Sequence, residues 1–179
     1  MNNLRKMIFT ALLIALGIVL PMMVHTIPNA GSVLLPMHIP ILICGMICGF
    51  PYGLAAGILT PLLSSMLTGM PPAAFLPSMV LELATYGLVS GILAHIVRTK
   101  SNLANIYITL IGSMLAGRIV YGILNALIFR AGEYSAQIWL TSAFVTALPG
   151  VIIQLILIPA IVVALQRARL VRYYRPESH

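Results

Sequence analysis

"GFPYG", Gly49 to Gly53, interrupts an apolar stretch that runs from Met37 to Leu67. At a rise of about 1.5 Å per residue, that stretch is too long for one crossing of a hydrocarbon core about 30 Å thick, which needs about twenty residues. Pro51 cannot continue a helix and the flanking glycines permit a tight turn, so the stretch divides into two segments, 37–49 and 52–67. Outward from that break, the remaining apolar runs are 7–24 on one side and 75–97, 103–129 and 149–165 on the other. The expected fold is an all-α integral membrane protein, a single transmembrane domain over 1–179 built as a compact bundle of six transmembrane helices.

Composition agrees with that class. Of the 179 residues, 60% are hydrophobic and 7% charged, against about 25% charged in an average soluble domain; the mean hydropathy is +1.05. The net charge of +7 comes from ten Lys and Arg against Glu82, Glu133 and Glu177. In a soluble chain such a balance would suggest nucleic acid, but here the basic residues flank apolar runs, where orientation and lipid headgroups account for them, and no nucleic-acid partner is expected. With six crossings, Arg5 and Lys6, Arg98 and Lys100, and Arg167, Arg169, Arg172 and Arg175 share one side, leaving Arg130 in an outer loop. The positive-inside rule then puts both termini in the cytoplasm of a bacterial-type, multi-pass cytoplasmic membrane protein. Five helices would strand one terminal cluster outside. "MNNLRK" ahead of the first run imitates the basic start of a signal peptide, but no small-residue cleavage site follows, so a retained first helix is expected.

The outer loops are the elaborate ones. They are "HTIPNAGSVLLP" (25–36), "TGMPPA" (68–73) and "RAGEYSAQIWLTSAFVTAL" (130–148), the last with Tyr134 and Trp139, residue types suited to the membrane interface. The inner connections "GFPYG" and "RTKSN" are short. Long outer loops over a compact bundle fit a lid above an outward-facing pocket, although loops that merely connect would have the same composition.

Inside the spans, polar residues are few. Glu82, in "LELATYG", lies about 10 Å below the outer end of its helix. An ionised carboxylate at that depth costs several kcal/mol, about as much as a function must justify, unless it meets a partner or water. Tyr86 and Met79 share its face. Arg118 in "AGRIVYG" begins a second stripe with Tyr121 and Asn125, Gln154 in "PGVIIQLILIP" adds an amide, and His38 stands between Pro36 and Pro40 at the outer start of the second span. As ligand contacts, Glu82 would accept hydrogen bonds, Arg118 would orient it or meet an anion, Asn125 and Gln154 would give direction, Tyr86 and Tyr121 ring faces, and His38 an outer wall. As structure, Glu82 and Arg118 would be an ion pair between helices, the amides interhelical glue and His38 a loop anchor.

No chemistry of bond making is written here. Ser64 and Ser65 lack a histidine at useful spacing, and HExxH, paired-aspartate and GxxxxGK[ST] patterns are missing from the sequence. Cys44 and Cys48 have no ligand-spaced partners and read as buried thiols, so neither a catalytic residue, a metal site nor a cofactor is expected. Energy from ATP would have to come from another chain.

"FTALLIALG" carries Ala11 and Ala15 on one helix face, a small-xxx-small spacing that lets a partner helix approach closely. With the six spans and the blocks "LLPMHIPILICG", "YGLAAGILTPLLSSMLTGMPP" and "LELATYGLVSGIL", the chain from about Thr10 to Leu165 resembles the substrate-binding S component of energy-coupling factor (ECF) vitamin transporters. The resemblance implies a subunit that binds a vitamin or precursor at its outer side, beneath the loops after helices one, three and five. It would then dock through Ala11 and Ala15 on a transmembrane coupling protein driven by two ATPases, and topple to release its ligand inside. "PMHIP" and "LTGMPP" look like the subgroup assigned to pyrimidine, pyridoxine or pantothenate uptake. A carboxylate that accepts from ring nitrogens, amines or hydroxyls suits a pyridoxine-type vitamin or hydroxymethylpyrimidine, with Tyr86 or Tyr121 stacking on the ring. Pantothenate would use Arg118 instead, and riboflavin would want more aromatic lining than seven Tyr and five Phe provide. The rival classes are a ligand-free assembly subunit and a stand-alone small transporter.

Overall fold

The computed structural model describes residues 2–24, 30–129 and 135–171. Its described residues form helices and connections, without a strand. In chain order the helices are α1 (Asn3–Val24), α2 (Ala30–Leu34), α3 (His38–Cys48), α4 (Phe50–Thr68), α5 (Leu76–Ile96), α6 (Asn102–Leu124), α7 (Ala136–Leu140) and α8 (Leu148–Arg167). Two π-helical turns follow α6 and α7, at Asn125–Phe129 and Thr141–Thr146. Among the described residues five helices are long and apolar enough to cross a membrane: α1, α4, α5, α6 with its π extension, and α8.

The break at "GFPYG" is a single residue. Gly49 takes φ of 95°, a left-handed conformation that a side chain would resist, and Pro51 sits in the first turn of α4. The segment expected to cross at 37–49 is shorter than that expectation. α3 has eleven residues, about 16 Å of helix, and does not reach across the hydrocarbon core by itself. Ahead of it, Leu35 at φ of 50° breaks the chain away from α2, and Leu35, Pro36 and Met37 are all buried. Irregular backbone is tolerated at membrane depth when protein encloses it in this way.

α3 is the centre of the molecule. Ten of its eleven residues are buried, so its apolar character extends all round, as expected of a helix enclosed by others. α1, α4 and α5 pack around it, and α6 and α8 touch it from the far side. The tightest contact is between α4 and α5, along a seam of glycines. A Cβ on Gly87 would lie 2.0 Å from the Gly53 carbonyl oxygen, and one on Gly57 2.3 Å from that of Leu83. Without a hydrophobic drive between helices in lipid, such backbone-to-backbone approach is what association relies on. Outward faces carry Leu12, Leu16, Ile111, Leu115, Ile152 and Ile156, all exposed and suited to acyl chains.

Two connections hold more structure than loops. The stretch expected as the loop 25–36 contains α2, and that expected at 130–148 contains α7, a π-helical turn and the start of α8. Ser135 caps α7 by accepting from the Ile138 N–H at 3.2 Å. His25, Arg130, Glu133, Tyr134, Arg172, Arg175 and Glu177 lie outside the described residues.

Candidate functional site

Along α5, Ser78, Glu82, Tyr86 and Ser90 recur at the four-residue interval that aligns side chains on one helix face, and all four are buried. The stripe points at α3 and α6. Gly117 on α6 clears the space for the Tyr86 ring, since a Cβ there would lie 2.5 Å from Tyr86 Cε1.

Three residues converge on one oxygen of Glu82. The Tyr86 hydroxyl donates to Oε1 at 3.0 Å, an Arg118 guanidinium nitrogen lies 3.3 Å from the same atom, and His38 Nε2 lies 3.7 Å away. The His38 ring meets the Tyr86 ring edge-on, with centroids 5.1 Å apart and planes at 62°. α3, α5 and α6 therefore each contribute to a cluster whose Glu82, His38 and Tyr86 are at most 4% exposed and whose Arg118 is 8% exposed. The Arg118 charge offsets the carboxylate, and the hydroxyl adds a charge-assisted hydrogen bond. All three of these contacts fall on Oε1.

A fourth helix carries a further buried polar residue. Glu82 is six residues into α5 and Gln154 six residues into α8, each about 9 Å from the start of its helix, and Arg118 is six residues before the end of α6, ahead of the π-helical turn. Gln154 is 1% exposed, and its Nε2 finds no hydrogen-bond acceptor among the described residues; the same holds for both ring nitrogens of His38. Buried polar groups are nearly always paired, so these atoms are open donors or acceptors in a closed interior.

Not every candidate joins the cluster. Asn125, buried at the start of the first π-helical turn, donates from Nδ2 to the Tyr121 carbonyl at 2.8 Å, a link local to α6. Tyr121 is half-buried. Ala11 and Ala15 are exposed on α1, opposite its buried Thr10, Leu13 and Gly17.

Trp139, of a residue type suited to an interface, makes a tertiary bond. Its indole N–H donates to the Arg118 carbonyl at 3.0 Å, and its ring covers Gly122, where a Cβ would lie 2.4 Å from Nε1. Gly117 and Gly122 bracket Arg118 in "AGRIVYG", and those two glycines were the sequence signal for close ring contacts. An open depression of about 390 Å³ lined by Gln137, Ile138, Thr141 and Thr146 shares no residue with the Glu82 cluster.

Chemically, the cluster can accept and donate hydrogen bonds and hold a polar ring away from water. Cys44 and Cys48 are buried, free thiols, with Cys44 Sγ 3.6 Å from Thr10 Oγ1. Among the described residues no three His, Cys, Asp or Glu side chains gather as metal ligands would.

Comparison with known families gives one match, to the family described as ECF transporter, substrate-specific component, over residues 5–162. No curated protein and no solved structure matches the chain significantly.

Proposed function

Because the chain belongs to the substrate-specific components of ECF transporters, and is thereby a membrane-embedded, substrate-binding transport subunit and not an enzyme, we propose that the Glu82 cluster is where it captures its solute. The observation that carries this reading is a buried carboxylate approached by Tyr86, Arg118 and His38 from three helices. The ligand would be a water-soluble vitamin or precursor, best fitted by a pyridoxine-type vitamin or hydroxymethylpyrimidine. Glu82 would accept from its ring nitrogen, amine or hydroxyl, and His38, Arg118 and Gln154 would add directional contacts. Tyr86 and Tyr121 would offer ring faces, and Asn125 a further amide at the outer end. Pantothenate would instead rely on Arg118.

A ligand-free assembly subunit would need only the Glu82–Arg118 pair. The open Gln154 Nε2 and His38 Nδ1 favour a binder, because a purely structural interior gains nothing by leaving them without a hydrogen bond. In the same reading the chain crosses a bacterial cytoplasmic membrane six times with both termini inside, α2 and α3 together making the second crossing. The exposed Ala11 and Ala15 face of α1 would dock on the coupling protein of an ECF module with two ATPases.

Thermal stability of the purified chain with pyridoxine forms, hydroxymethylpyrimidine, pantothenate and riboflavin tests the proposal. A binder gains RT ln(1 + [L]/Kd), about 2.7 kcal/mol at a hundredfold excess over Kd. Stabilisation by one compound is expected; none by any of them would count for the assembly reading.

A further inference from the structure

We infer that Trp139 is a positioning residue for the binding cluster, which latches the outer segment α7 onto the helix that presents Arg118. The inference rests on the binding reading above for its functional consequence, but its geometry stands alone.

Arg118 is held at both ends. Its guanidinium reaches Glu82 at 3.3 Å, while its main-chain carbonyl accepts the indole N–H of Trp139 from twenty-one residues further along the chain at 3.0 Å. A helix carbonyl is flanked by the side chain four residues on, and here that position is Gly122. The missing Cβ is what admits the ring, since one would stand 2.4 Å from Nε1, 2.6 Å from Cδ1 and 2.8 Å from Cε2 of Trp139. Arg118 and Gly122 thus form a socket on the outer part of α6, and α7, capped by Ser135, carries the group that fills it. Glu82, His38 and Tyr86 are closed to solvent, so a solute enters only when an outer element moves. Withdrawal of Trp139 would release the main chain of the residue that compensates Glu82, linking the opening of α7 to the state of the cluster.

Trp139 is the single tryptophan of the chain, so native fluorescence of the whole protein in lipid nanodiscs reports on the socket without a label. Gly122→Ala is expected to shift the emission to the red and raise acrylamide quenching severalfold, because the added carbon evicts the ring. Trp139→Phe keeps a ring but removes the donor. Both variants are expected to speed hydrogen–deuterium exchange across 114–124 by about tenfold, the loss of one buried hydrogen bond. Unchanged emission in Gly122→Ala, or unchanged exchange in both variants, overturns the latch. With pyridoxine as first probe, Trp139→Phe should raise the dissociation rate by about tenfold and alter association far less. An unchanged dissociation rate overturns the positioning role. Failure of wild type to bind any compound of the panel sinks the binding reading instead, and the latch is then decided by fluorescence and exchange.

Discussion

Replacing Arg118 with Leu, Glu82 with Gln, and both together puts the central contact to a quantitative test. Arg118 and Glu82 are 3.3 Å apart with side chains 10% and 5% exposed. At an effective dielectric constant of about 20, two unit charges at that distance attract by about 5 kcal/mol. Much of this repays the desolvation of both groups, so the net value of the pair is smaller than the cost of breaking it. Arg118→Leu leaves the carboxylate with the Tyr86 hydroxyl and the more distant His38 ring, and should destabilise by about 3–5 kcal/mol, as for other broken buried pairs. Glu82→Gln strands the guanidinium but retains an acceptor for Tyr86, and should cost less. The double variant should recover about 2 kcal/mol or more relative to the sum of the singles, since neither charge remains unmatched. Equilibrium unfolding of the full chain in mixed micelles, followed by circular dichroism without ligand, measures all three. A loss below about 1 kcal/mol for Arg118→Leu, or additivity within about 0.5 kcal/mol, would refute the claim that these two charges are coupled.

Tyr86→Phe removes the hydroxyl at 3.0 Å from Glu82 but keeps the packed ring. It should cost about 1.5–3 kcal/mol, the range for a hydrogen bond to a charged group, and much less in a Glu82→Gln background; the same unfolding titration reads both. Gly87→Ala drives a Cβ to 2.0 Å from the Gly53 carbonyl oxygen and should cost at least about 3 kcal/mol by forcing two backbones apart. Gly31→Ala, with open space around it, should keep the wild-type yield of folded protein in detergent. Ala11→Leu with Ala15→Leu alters only an exposed face of α1 and should abolish uptake in vesicles containing the ECF module while sparing ligand-dependent stabilisation. Loss of stabilisation as well would assign that face to the fold.

Much of the helical layout was legible because membrane segments announce themselves by length and apolarity, and because Pro51 and Gly49 punctuate the one long run. The burial of Glu82, Tyr86 and Arg118 also followed from the cost of leaving such groups in lipid, whereas His38, expected as an outer wall, is buried beside them. The convergence of three of them on one carboxylate oxygen was not legible, because helical spacing fixes a face but not the neighbour it meets. α3 was read as a short span over 37–49; at eleven residues, ten of them buried, protein surrounds it and it need not span the core alone. The partner of Trp139 was hidden for a related reason. Its residue type suits an interface, and its bond to the Arg118 carbonyl beside the bare Gly122 is a contact that spacing does not show. Asn125 and Tyr121 were grouped in one stripe with Arg118, and the Asn125 amide donates to the Tyr121 carbonyl.

The brevity of α3 also bears on biogenesis. At eleven residues, with His38 at its leading end, it has too little apolar length to be retained in a bilayer as an independent insertion unit. It is joined to α4 through Gly49 alone, which makes α3 and α4 a helical hairpin that partitions together, α4 supplying the apolar length. The most enclosed helix of the finished bundle is then delivered by its neighbour, and assembly around it must await the arrival of α5, whose Gly87 and Gly91 close on α4. A ribosome-bound chain ending shortly after α4 would hold the histidine of the future site in place before the carboxylate it faces has been synthesised.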